Sequence, residues 1–128
     1  MFEATARLTI RDGELEAFKQ HVAEIMRLTR ESESQPLRYD WFLSEDGKEC
    51  EVREAYVDAD ALLAQQRYIG EVKAKLMHDC VAGHTMAFYG KPSPALAGAL
   101  EAMGVKFTRF SFFQGLDVEI EIPQEVPA

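Results

Sequence analysis

Cysteine is scarce in this chain, and the two present make no pattern. Cys50 and Cys80 lie far apart, with neither a CxxC pair nor a Cys/His metal spacing, so each is expected as a small apolar residue rather than half of a disulfide or a metal ligand. No hydrophobic run approaches the ~20 residues that a membrane span needs. The opening MFEATARLTIRDG alternates and carries charge where a secretory signal would be continuously apolar. A cytoplasmic protein with no membrane partner is the expectation. Positive charge is also in deficit, 14 basic against 22 acidic residues for a net charge of −8. No stripe of Lys and Arg with interleaved aromatics offsets that field, which excludes nucleic acid as a partner. Glycine-rich phosphate loops, a GxSxG elbow and HExxH are all missing, so nucleotide, serine-hydrolase and zinc-protease chemistry lack support.

What remains is a chain of 128 residues, 47% hydrophobic, enough for one domain that buries roughly two thirds of its unfolded surface. We divide it into a core over 1–90, a helix-strand extension over 91–122 and a tail over 123–128. In the first strand, residues 3 to 10, Ala4, Ala6, Leu8 and Ile10 alternate with Glu3, Thr5, Arg7 and Thr9. A helix from about Glu14 to Glu33 follows, with Leu15, Phe18, Val22, Ile25, Met26 and Thr29 on one stripe. Pro36 limits its end.

Leu37, Tyr39, Trp41 and Leu43 then alternate with Arg38, Asp40, Phe42 and Ser44, and Ser44-Glu45-Asp46-Gly47 reads as a hairpin turn whose Asp-Gly pair supplies positive φ. The returning strand covers Lys48 to Val57. Asp58 is the N-cap of a helix that continues to about Cys80, with room for a break near Gly70. A fourth strand covers His84 to Gly90. The order βαββαβ predicts an α+β, ferredoxin-like half-barrel, an antiparallel sheet with both helices on one face. Its other face is left bare, so a second copy is expected there, making the protein a homodimer. Ser93-Pro94 and Gly104 bracket a further helix. The phenylalanine-rich strand from Val105 to Phe113 needs burial on both faces, which places it, or the following LDVEIEIP, against the partner subunit.

Candidate site residues are few. Trp41 and Tyr39 share one face of their strand, where they serve either as core or as a platform for a planar ligand. The hydroxyls of Tyr39 and Tyr56 need partners if buried. His21 lies on the flank of its helix among polar neighbours and is expected in solvent, and His78 suits a helix C-terminus. His84, opening a strand after Gly83, is the candidate acid/base, since histidine titrates nearest neutral pH. A metal would need further ligands such as Asp79 beside His78 and His84, and none is expected. Arg38, Arg53 and Glu54 lie on adjacent strands and pair across them by default, although an arginine facing a pocket could orient an enol or phenolate oxygen.

Leu37-Arg38-Tyr39, the hairpin, Glu54 with Tyr56, and Asp58 with Leu62 together resemble the core signature of the antibiotic-biosynthesis-monooxygenase superfamily, small dimeric α+β-barrel proteins. The likeness covers roughly residues 4 to 90. Where many members carry histidine in the second helix this chain has Gln65, and where they carry tryptophan before the helix aspartate it has Tyr56. Glutamine removes a haem-ligand or acid/base candidate. The resemblance therefore implies a monooxygenase without a cofactor, acting on a planar aromatic such as a quinol or anthrone in a pocket between sheet and helices. His84, Tyr39 and Tyr56 would be catalytic, and Trp41, Arg38 and Arg53 would bind substrate. The alternatives are a non-catalytic dimeric binder of small ligands on the same fold, and a proton-transfer isomerase or lyase using the same pocket.

Overall fold

Alternation puts Phe2, Ala4, Ala6, Leu8 and Ile10 on the buried side of β1 (Phe2–Ile10), at the centre of the sheet. The computed structural model describes residues 1–116. Helix α1 (Leu15–Glu31) buries Phe18, Ile25 and Thr29 and packs Leu15, Val22 and Met26 against the core, the stripe expected from the spacing. The hairpin follows with β2 (Arg38–Leu43) and β3 (Glu49–Tyr56). Gly47 holds its turn at φ 72°, donating to Ser44 O at 3.0 Å.

Asp58 caps the next helix by accepting from the Ala61 amide at 2.8 Å. The chain then breaks at Ile69–Gly70 into α2 (Ala59–Tyr68) and α3 (Gly70–Cys80). The fourth strand, β4 (Val81–Tyr89), starts three residues before His84, because Val81 leaves α3 directly in extended conformation. Ser93 caps α4 (Pro94–Met103) by accepting from Leu96 N at 3.2 Å, and Gly104 ends it at φ 71°.

The last described strand is β5 (Lys106–Phe110), and the sheet order is β2-β3-β1-β4-β5. Pairings among β1 to β4 are antiparallel, the ferredoxin-like arrangement, whereas β5 pairs parallel to β4. The four-stranded antiparallel sheet thus becomes a five-stranded mixed one. A parallel neighbour requires a crossover, and α4 supplies it.

The expected burial of both faces of the last strand is met only in part within one chain. Phe107 packs edge-on to Phe88 at 5.5 Å, but Phe110 is half exposed, and Phe112 and Phe113 are exposed. The stretch LDVEIEIP and the tail over 123–128 lie, but for Leu116, outside the described residues. Cys50 and Cys80 are buried and free. No helix among the described residues is long and apolar enough to cross a membrane.

Candidate active site

Because β3 alternates, Cys50, Val52, Glu54 and Tyr56 all point inward beneath the helices, so one carboxyl group lies in the core. Register places Tyr39 of β2 opposite Glu54, and His84 of β4 opposite Leu8 on the same face. Lys73 of α3 comes down onto this face from above. Tyr39, Trp41, Glu54, Lys73 and His84 line an inner chamber of about 10 Å³, closed by Leu8, Val52, Leu76 and Met77. That is about the size of one water molecule.

Lys73, Met77 and His84 also form part of the wall of a larger, mostly apolar groove of about 370 Å³, which Gln66, Met103 and Val105 extend. These three side chains separate chamber from groove. The expected pocket between sheet and helices therefore has two compartments, with most of the open volume beside His84 and little beside Tyr39.

Polar atoms converge here with few partners. Tyr56 donates to Glu54 Oε1 at 2.7 Å, and Lys73 Nζ donates to Gln66 Oε1. Gln65 Nε2 donates to Thr29 Oγ1 at 2.8 Å. Trp41 Nε1, Gln65 Oε1, Gln66 Nε2 and His84 Nε2 are buried without a hydrogen-bond partner among the described residues. Buried polar groups are normally paired, and three of these four, on Trp41, Gln66 and His84, belong to residues that line the chamber or the groove, which suits the site to a polar ligand group.

Burial dominates the titration of this cluster. It raises the Glu54 carboxyl above its usual range, with Lys73 and the Tyr56 hydrogen bond opposing. It lowers the Lys73 ammonium, with Glu54 opposing. Tyr39 and Tyr56 are both pushed well up, first by burial and then by the nearby Glu54 charge. Burial and then Lys73 pull His84 down to about 4. At neutral pH His84 is thus an uncharged imidazole, able to accept or donate one proton at Nε2.

The six residues singled out by sequence fall into three groups. His84, Tyr39 and Trp41 meet at the chamber, with the Tyr39 and Trp41 rings 5.4 Å apart. Tyr56 lies behind them, touching the site through Glu54. Arg38 and Arg53 project from the opposite face of the sheet, lining a shallow depression with Glu3, Thr5, Glu51 and Tyr89. There Arg38 pairs with Asp40 of its own strand at 3.4 Å and Arg53 stacks over Phe42 at 5.7 Å, in place of the expected cross-strand pairs with Glu54.

His21 departs from its expected exposure. It is half-buried, with Nε2 3.6 Å from Asp79 Oδ2 where α1 packs on α3. His78 is exposed beside Asp79 at 2.9 Å. Among the described residues no group of three or more His, Cys, Asp or Glu is placed to hold a metal ion.

Lys73 and Gln66 were not among the candidates, and Glu54 was named as a cross-strand partner of arginine and a residue of the family signature, not as part of a site. One signal pointed to Glu54 and one to Lys73, and none to Gln66. Glu54 continues the inward alternation Cys50, Val52, Glu54, Tyr56, and Lys73 stands four residues after Ile69 and three before Leu76, inside the apolar stripe.

No family profile and no curated protein matches the chain. Solved structures do. The crystal structure of MupZ from Pseudomonas fluorescens superimposes with a TM-score of 0.72 at 24% identity, over 94% of this chain and 91% of that one. A putative antibiotic biosynthesis monooxygenase from Nitrosomonas europaea gives 0.61 at 19% identity, over 71% of this chain and 98% of its own. Rv0793 from Mycobacterium tuberculosis gives 0.60 at 19%, over 73% and 97%. The MupZ match reaches well beyond a core-sized share of the chain, while the other two do not. With identities this low the shared property is architecture, and the chain has the ferredoxin-like α+β fold seen in structures of the antibiotic biosynthesis monooxygenase superfamily.

Proposed function

We propose that this protein is a monooxygenase without a cofactor, acting on a small planar aromatic of the quinol or anthrone type. The observation that carries the reading is His84 Nε2, buried, unpartnered and shared by the groove and the inner chamber. A flat apolar ligand in the groove would present its acidic carbon, such as the anthrone methylene, to this nitrogen, with its oxygen beside Lys73. Tyr39 and Trp41 lie behind it in the chamber. Once deprotonated, such a substrate reduces dioxygen itself. One carbon–oxygen bond forms, the peroxide loses its outer oxygen as water, and a ketone remains, so anthrone and O₂ give anthraquinone and water. All electrons come from the substrate. On this reading Arg38 and Arg53, on the opposite face of the sheet, do not touch it.

The same proposal includes a homodimer through the open face of the sheet. Its support is the stacked pair Tyr89 and Phe110 at 5.5 Å and the exposed Phe42, apolar surface that one chain leaves uncovered.

Oxygen uptake with anthrone and with a quinol series tests the activity. One O₂ consumed per product, and a fall of about a hundredfold in kcat for His84→Leu, are expected. Absence of uptake with every member of the series, or an undiminished His84→Leu enzyme, would overturn it. Turnover that persists without oxygen would indicate a proton-transfer isomerase instead. The rival reading as a non-catalytic binder draws on the chamber itself, nearly filled by the protein's own side chains.

A further inference from the structure

A carboxyl group and an amine enclosed together beneath a sheet are costly to keep unless they have a task. Glu54 comes from β3 and Lys73 from α3, and both line the chamber that Tyr39, Trp41 and His84 complete. Tyr56 occupies Glu54 Oε1, and Oε2 makes no hydrogen bond among the described residues. Lys73 Nζ gives one proton to Gln66 and has two more to offer. Lys73 also lines the groove, so its ammonium can reach a ligand there.

We propose that Glu54 and Lys73 act as one unit that ionises the ligand: its phenolic or enolic hydroxyl enters the chamber, which has room for one such oxygen, Glu54 Oε2 takes the proton there and Lys73 holds the oxyanion, leaving His84 as the base for a carbon-bound proton in the groove. This deepens the reading above and rests on its choice of site, adding the ligand class: acidic phenols and enols, bound as anions. The bookkeeping of charge closes. Before the transfer, Lys73 faces the Glu54 carboxylate; afterwards it faces the ligand oxygen, and Glu54 is neutral. The oxygen–hydrogen bond breaks, its electron pair stays on oxygen, and no net charge enters or leaves the interior. A neutral carboxyl is what burial favours at Glu54. The other titratable groups facing the pair are Tyr39, Tyr56 and His84, all uncharged at neutral pH. Trp41 Nε1, an unpartnered donor in the chamber, provides a further contact for the oxyanion.

The test uses para-nitrophenol, coloured only when ionised and not oxidised by O₂ on deprotonation, so its result is independent of whether the protein is an oxygenase. Bound to the unmodified protein, the probe should show a ratio of ionised to neutral form at least about tenfold above that of the free probe at the same pH. Lys73→Met should abolish that rise and Lys73→Arg should keep it, with far-ultraviolet dichroism confirming that each variant is folded. Calorimetry in buffers of different ionisation heat reads the proton. Neutral probe binding to the unmodified protein should release none, and binding to Glu54→Gln should release close to one. A probe that fails to bind, one bound in its neutral form, or a Lys73→Met protein with the full rise would overturn the proposal. Equal proton release with and without Glu54 would remove the carboxyl from it. Success here beside failed oxygen uptake would leave an ionising site with a different reaction.

Discussion

Gln65 Nε2 donates to Thr29 Oγ1 at 2.8 Å, joining α2 to α1 across 36 residues of sequence. Thr29 Oγ1 passes the chain on by donating to Ile25 O at 2.8 Å. At the position where the family resemblance led us to look for a histidine, this protein has an amide that braces two helices over the sheet. Thr29→Val should cost about 1–3 kcal/mol, because it strips a partner from a buried amide donor. Thr29→Val with Gln65→Leu should recover most of that loss, since both polar groups then go together. Urea titration of the two single variants and the double one measures the coupling.

The hairpin turn makes a second test. Gly47 holds φ 72°, and a Cβ built there would meet Leu15 Cδ2 at 3.0 Å. Gly47→Ala combines a left-handed backbone with a close contact and should cost about 1–2 kcal/mol. Thermal unfolding reads it, and Gly98→Ala, with open space at its Cβ and an ordinary φ, is the control expected to be neutral or stabilising.

This hairpin was the best-read part of the chain, because strict alternation and an Asp-Gly pair are both local signals. The break between α2 and α3 was legible for the same reason, at Gly70. The start of β4 was not: Ala82-Gly83 looks like a loop, and only pairing to Thr9 and Ile10 makes it strand. Nor was the parallel placement of β5, since two exposed-face residues such as Thr108 and Phe110 do not say which neighbour they join. Of the candidates named from sequence, the ring-bearing Tyr39, Trp41 and His84 line the chamber, while its two charged residues were not singled out for it. Lys73 was passed over and Glu54 was paired with arginine across the strands, although their places in the helical stripe and the strand alternation put them inside. Arg38 and Arg53 were drawn toward the site by residue type, against an alternation that puts them on the opposite face from Tyr39.

His84 sets a pH dependence. Its folded pKa, about 4, lies below the value near 6.5 of an unfolded histidine. The unfolded chain therefore binds a proton first as pH falls, and stability decreases from pH 6.5 toward 4. Above that window the contribution is complete. Because His84 is only partly buried, solvent screening limits the loss to about 1–2 kcal/mol. His84→Leu should lack that part of the acid destabilisation, seen as a flatter plot of urea midpoint against pH.

The proposed homodimer makes its own prediction. Sedimentation at micromolar concentration should give twice the 14.5 kDa chain mass. Phe110→Glu places a charge beside Tyr89 on the open face and should shift the species to monomer while leaving far-ultraviolet dichroism unchanged. A monomeric unmodified protein would dispose of the dimer without touching the groove.

Trp41 is the sole tryptophan of the chain. Its indole lies in the chamber wall, 5.4 Å from the ring of Tyr39 and edge-on to Phe18 at 6.3 Å. Beside four tyrosines, which emit at shorter wavelength, the molecule thus carries one tryptophan fluorophore, placed in the wall of the candidate site. Tryptophan emission has a single source, tyrosine excitation at Tyr39 is transferred to it over a few ångströms, and a ligand that displaces His84 or Met77 changes the dielectric around it. Occupancy of the site can be followed by light, without a label.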